Sequence, residues 1–141
     1  MIRTTLRWLL AALYAFAGYA HVASPATFLA IMPPLVPWPE AVVLWTGIAE
    51  LLGAAALAQP FWPQLRRAGA IGLALYALCV WPANINHMVL DMASPDGGPD
   101  GRMGLGYHIP RMFAQPLIIW LALWVGQVID WPFRPRRQTP R

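Results

Sequence analysis

The chain has 141 residues, of which 58% are hydrophobic and only 11% charged, with eight Trp, a formal net charge of +4 and a mean hydropathy of +0.48. So little charge on so short a chain excludes an ordinary soluble domain and leaves one membrane domain with no large part outside the bilayer. The ten basic residues are all Arg and are spread over short flanks, an arrangement that anionic lipid headgroups satisfy and that argues against a nucleic-acid partner.

Four windows lack charge except at their rims or at one internal carboxylate, and they predict membrane-spanning helices over 6–23, 41–58, 68–85 and 112–129. At ~1.5 Å per residue each is roughly 27 Å long, close to the hydrocarbon thickness of a bilayer. In the first, Ala11, Tyr14, Gly18 and His21 recur at helical spacing and put small and polar groups on one face. The basic start and apolar middle of this segment also suit a cleaved signal peptide. A signal peptide has no use for a packed face, so a retained helix is preferred.

Residues 24–40 form a predicted outer loop with five prolines, a short amphipathic turn around Thr27 to Met32, and Trp38 at an interfacial position. Proline stiffens it, and it reads as a lid lying on the membrane. The second span puts Val43, Thr46, Gly47, Glu50, Gly53 and Ala54 on one face, with Leu44, Ile48, Leu51 and Leu52 on the other. Residues 59–67 make a short cytoplasmic loop. The third span aligns Gly69, Gly72, Tyr76, Ala83, Asn84 and His87; then comes a second outer loop over 86–111, rich in Gly, Pro and Asp. The fourth aligns Arg111, Gln115, Ala122 and Gly126, and residues 130–141 form a cytoplasmic tail. The expected fold is therefore all-α, an integral membrane four-helix bundle.

Eight of the ten arginines precede the first span, separate the second from the third, or follow the fourth. Only Arg102 and Arg111 fall on the other side. By the positive-inside rule both termini are cytoplasmic.

Glu50 lies near the expected bilayer midplane, while His21, Asn84, Arg111 and Gln115 fall in the outer third of their helices. Because helix side chains lean toward their own N-terminus, the Glu50 carboxylate should tilt outward into that ring. A lone carboxylate at the membrane centre costs roughly 2.5 to 3.5 kcal/mol on insertion scales, so it keeps its proton or finds a cation. Arg111 is the expected partner and His21 a second one. The alternative is that Glu50, His21 and Arg111 form a buried lock that only fixes helix packing.

Cys79, the lone cysteine, rules out CxxC exchange, an intramolecular disulfide and an iron–sulfur cluster within one chain. No Gly-rich phosphate loop, nucleophile elbow or EF-hand spacing is present. No metal site is expected; the one weak alternative is a soft Cu(I) set from His87, Asp91, Met88 and Met92.

The runs AGYAHVASPATFLAIMPP, TGIAELLG and WPANI, with Arg66 and Arg67 between the last two and Arg111, Gln115 and Trp120 after them, resemble the DoxX-like family of small four-helix membrane proteins. The resemblance covers about residues 8 to 125. It implies an inner-membrane protein of bacterial type associated with redox systems, and it places the family's polar positions at His21, Glu50, Asn84, Arg111 and Gln115. Phe113 stands where the family often has proline, and NINHMVLDM is richer in His and Met than the family pattern. The expected function is a redox-associated subunit whose outer-half cavity binds a small apolar molecule with a polar head, quinone being the best match. In that role Glu50 and His21 form a proton relay, and Tyr14, Asn84, Arg111 and Gln115 bind the ligand. Expected partners are the lipid bilayer and redox-complex subunits, with homo-oligomerisation left open. A non-enzymatic scaffold and a small-molecule or copper transporter are the competing readings.

Overall fold

A computed structural model describes residues 1–94 and 103–132. The regular elements among them are all helices: α1 (Ile2–Ala23), α2 (Pro25–Leu29), α3 (Pro39–Ala58), α4 (Pro63–Ala93) and α5 (Leu105–Val125). The Asp- and Gly-rich part of the second outer loop, Arg102 and the four tail arginines lie outside the described residues.

The four long helices form an antiparallel ring. α1 packs mainly on α3, α3 on α4 and α4 on α5, and a smaller contact between α5 and α1 closes the circle. α1 and α4 are therefore one diagonal, α3 and α5 the other. Arg3 reaches the Asp130 carboxylate at 2.8 Å and Arg66 the Gln127 side chain at 3.0 Å, so the start of α1, the α3–α4 turn and the end of α5 share one end of the bundle. The α2 segment and the beginning of α5 stand at the other.

α3 and α4 are long and apolar enough to cross a membrane by length and composition. The other two expected spans coincide with α1 and with most of α5. α4 runs well past the predicted boundary at residue 85, because nothing in NINHMVLDMA stops a helix before Ser94. α5 likewise begins at Leu105, inside what the charge pattern assigned to a loop; Arg111 is a helical residue and not a loop residue. Charge marks where hydrocarbon ends, not where a helix does.

The inward faces follow the small-residue stripes. Tyr14, Gly18 and His21 of α1, Val43, Gly47, Glu50 and Gly53 of α3, and Gln115, Ala122 and Gly126 of α5 are buried. Gly72 is the exception, exposed with open space beyond it. Toward the Arg3 end the interior is a close-packed apolar core of Leu10, Ala11, Tyr14, Ala54, Leu57, Ala70, Leu73, Ala74, Ala122, Trp124 and Val125. Toward the α2 end it opens into a cavity.

Two glycines set the spacing of α1 and α3. A Cβ on Gly18 would lie 2.7 Å from the Gly47 carbonyl oxygen and 3.0 Å from Glu50 Cβ, and one on Gly47 would lie 2.7 Å from His21 Cβ. Neither backbone nor Cβ atoms can yield without moving a helix. Gly18→Ala or Gly47→Ala should therefore lower thermal stability by about 1–3 kcal/mol, the usual cost of overpacking. Gly72→Ala should be neutral or slightly stabilising. Melting curves of the three detergent-purified variants check this, and equal melting of all three would refute the close-approach account.

Candidate functional site

The cavity at the α2 end has a volume of about 500 Å³. All six residues expected from the sequence line it: Tyr14 and His21 from α1, Glu50 from α3, Asn84 from α4, and Arg111 and Gln115 from α5. Sequence reasoning missed Tyr76, which lines the same wall with its hydroxyl toward the Glu50 carboxylate. Its place on the α4 stripe was legible; its role beside Glu50 was not, because that depends on how α3 and α4 are rotated against each other.

The rest of the lining is apolar. Phe28, Ile31, Met32, Pro33 and Val36, from α2 and the chain after it, close the outer side. They belong to the segment expected to form a lid, and it is tied down where the Asn86 amide donates to the Ile31 carbonyl at 3.0 Å. Leu13, Cys79 and Pro82 line the cavity while also being exposed, so it reaches the flank of the bundle as well as its end.

Hydrogen-bond direction fixes the state of His21. The Thr46 hydroxyl donates to the Val43 carbonyl at 2.9 Å, which commits its single proton. His21 Nδ1, 3.1 Å from the same hydroxyl oxygen, must then be the donor. In the neutral ring Nε2 therefore carries the lone pair, and it faces Glu50 Oε2 at 3.9 Å. That oxygen is buried and has no hydrogen-bond partner among the described residues. One proton placed on either group suits both, and the gap is too long for a direct hydrogen bond. A polar atom between them would be addressed from two sides. The His21 ring is also held against Phe28 of the lid, with ring centroids 3.7 Å apart.

Arg111 departs from its expected partner. Its Nη1 donates to His87 Nδ1 at 2.6 Å, and it makes no ion pair with Glu50. The ring order is the reason: α3 and α5 are diagonal, with the cavity between them, whereas α4 stands beside α5. Asn84 and Gln115 are each buried, yet neither amide bonds to another described side chain; both are turned to the cavity.

Behind Arg111 lies a second polar cluster that sequence spacing only hinted at. Asp91 Oδ2 accepts from His108 Nε2 at 2.9 Å and from the backbone N–H groups of Met103 and Gly104 at 3.0 and 3.2 Å. Asp91 thus anchors, from a neighbouring helix, the two residues that lead into α5, pairing backbone donors just ahead of Leu105. Of the residues weighed for copper, His87 and Asp91 are committed to this cluster, Met88 is half-buried and Met92 is exposed. No group of three or more His, Cys, Asp or Glu among the described residues is arranged to hold a metal.

A family described as a domain of unknown function (DUF8561) matches residues 10–126, which include every residue of the cavity wall. The chain belongs to this family. No curated protein and no solved structure matches it.

Asp91→Ala should destabilise the fold by about 3 kcal/mol, since in this DUF8561 member it leaves the fully buried His108 ring and two part-buried backbone donors without their acceptor. Hydrogen exchange at Met103 and Gly104 should quicken in the same variant. Unchanged exchange there would show that Asp91 does not anchor the start of α5.

Proposed function

We propose that the chain is a DoxX-like, multi-pass protein of a bacterial-type inner membrane, a redox-associated subunit that binds a small apolar molecule with a polar head, a quinone by preference. The observation that carries this reading is the convergence of six polar residues from four helices on one otherwise apolar cavity of about 500 Å³. That volume lies within the range usual for small-molecule sites, and the balance of apolar wall and few polar groups is the one such sites have.

The membrane part rests on the outer surface. Trp8, Leu9, Leu13 and Phe16 of α1, Leu44, Trp45 and Leu52 of α3, Leu75, Leu78 and Val89 of α4, and Phe113 and Leu117 of α5 are all exposed. An apolar exterior on all four helices has no counterpart in a water-soluble bundle and fits acyl chains. With the Arg3 and Arg66 end placed in the cytoplasm, both termini are inside and the lid outside.

In chemical terms, Glu50 and His21 share one proton that they can deliver to, or take from, a ligand oxygen lying between them. Asn84, Gln115 and the Arg111 guanidinium supply further hydrogen bonds, Tyr14 and Tyr76 bound the deep end, and the lid excludes water. A lock that merely fixes packing is disfavoured because Arg111 is engaged by His87 while two buried amides are left for something else.

Cys79 offers a reporter, being both exposed and part of the wall. A short-tailed ubiquinone should slow maleimide labelling of Cys79 in the purified wild type. Glu50→Gln should bind it roughly tenfold more weakly, the loss of one charge-assisted contact, with the melting temperature unchanged. Labelling unaffected by quinone in both proteins refutes the ligand assignment. A fall in melting temperature without loss of protection restores the packing lock.

Reporter fusions after Ser94 and after Asp130 should report opposite sides of the inner membrane. Two fusions on the same side would overturn the four-span topology.

A further inference from the structure

The other end of the bundle has no part in that reading, and it holds a group of charges without an answer. Four arginines meet there: Arg3 and Arg7 of α1, and Arg66 and Arg67 in the first turn of α4. Asp130 is the one carboxylate at this end among the described residues, and Arg3 takes it at 2.8 Å while lying over the Trp124 ring. Arg66 donates to the Gln127 amide oxygen at 3.0 Å, which carries no charge. Gln127 is held in place for this by a left-handed turn at φ 62, closed by the Val128 N–H on the Leu123 carbonyl at 2.9 Å.

Arg7 has no hydrogen bond to a described residue and lies over its neighbour Trp8 at 5.9 Å. The charges bearing on Arg66 are those of Arg7 and Arg67, both of its own sign. The Nε atoms of Arg7 and Arg66 are buried from solvent with no acceptor among the described residues. Guanidinium groups drawn together and partly dehydrated repel each other unless an anion joins them, and a planar fork of donors fits phosphate. Around them Trp8, Phe61, Trp62 and Trp131 are all more than half exposed, the aromatic collar of a bilayer interface. An anion at this level comes with acyl chains attached.

We infer that Arg7, Arg66 and Arg67 form a binding site for the phosphate of an anionic phospholipid, which ties α1 to α4 across the end of α5. α1 and α4 are a diagonal pair whose backbones stay apart and which meet deeper in the bundle through the Tyr14 hydroxyl on the Leu73 carbonyl, so the lipid adds a second link at the arginine end. The inference rests on the membrane reading and is independent of what the cavity binds.

The test compares wild type with Arg7→Gln/Arg66→Gln in nanodiscs of phosphatidylcholine alone or mixed with phosphatidylglycerol. The wild type should melt higher in the mixture, and the double variant should melt alike in both. In phosphatidylcholine alone the variant should melt close to wild type, because the repulsion removed offsets the hydrogen bond lost from Arg66 to Gln127. An equal phosphatidylglycerol effect on both proteins overturns the site. A full shift produced by inorganic phosphate in phosphatidylcholine discs overturns the lipid as its occupant. Native mass spectrometry of the wild type gives a reading that needs no variant: phosphatidylglycerol should remain bound after detergent exchange where phosphatidylcholine does not, and retention of neither overturns the proposal.

Discussion

The contact between α1 and α3 at Gly18 and Gly47 is the constraint on which the site depends. Each helix presents bare backbone to the other, with the Gly47 oxygen where a Gly18 Cβ would be. On the proposed membrane reading, helices gain little from burying apolar surface against each other, and close backbone approach supplies much of the attraction. The approach also fixes function-bearing geometry. His21 is three residues beyond Gly18 and Glu50 three beyond Gly47, one helical turn in each case but in opposite directions along the axis. Only helices this close bring His21 Nε2 to within 3.9 Å of Glu50 Oε2.

The bundle divides into two halves by the same logic. Toward the arginine end, small residues continue the close packing: a Cβ on Gly69 would meet Ala56 at 2.5 Å, and one on Gly126 would run into Ala70. Leu57, Leu73 and Val125 are fully buried in the interior there. Toward the α2 end the inward positions are taken by polar residues, and the helices part around a cavity with the lid above it. Rigid packing below holds the polar groups above in register, which is what a preorganised site requires. The Asp91 anchor serves the same end by fixing the start of α5, from which His108 and Arg111 project.

Much of this was legible in the sequence, for physical reasons that differ by residue. The stripe of Ala11, Tyr14, Gly18 and His21 is a helical period, and periodicity reports a face directly. Glu50 stood out because a carboxylate among apolar residues has few tolerable environments. The pairing of Arg111 did not follow, because phase and depth place a residue on a face and at a height but do not say which helix stands opposite. With α5 diagonal to α3 and beside α4, Arg111 donates to His87 of α4. The reach of α4 to Ala93 was hidden for another reason: Asp91 reads as loop polarity and His87, though it continues the stripe of the third span, lies past the charge-free window, yet both are fully buried and bonded across the α4–α5 pair.

The hydrogen bond between His21 and Thr46 narrows the chemistry further. Because Thr46 gives its own proton to Val43, the neutral His21 ring carries its proton on Nδ1, and a second proton can be taken up only at the nitrogen facing Glu50. A ligand atom held between the two meets a donor on one side and an acceptor on the other, in whichever order the proton lies. An atom that only accepts, such as an ether oxygen, uses half of that arrangement. A carbonyl that becomes a hydroxyl on reduction uses all of it, accepting before the change and donating after it. A quinone-like head, as proposed, would use the arrangement in this way.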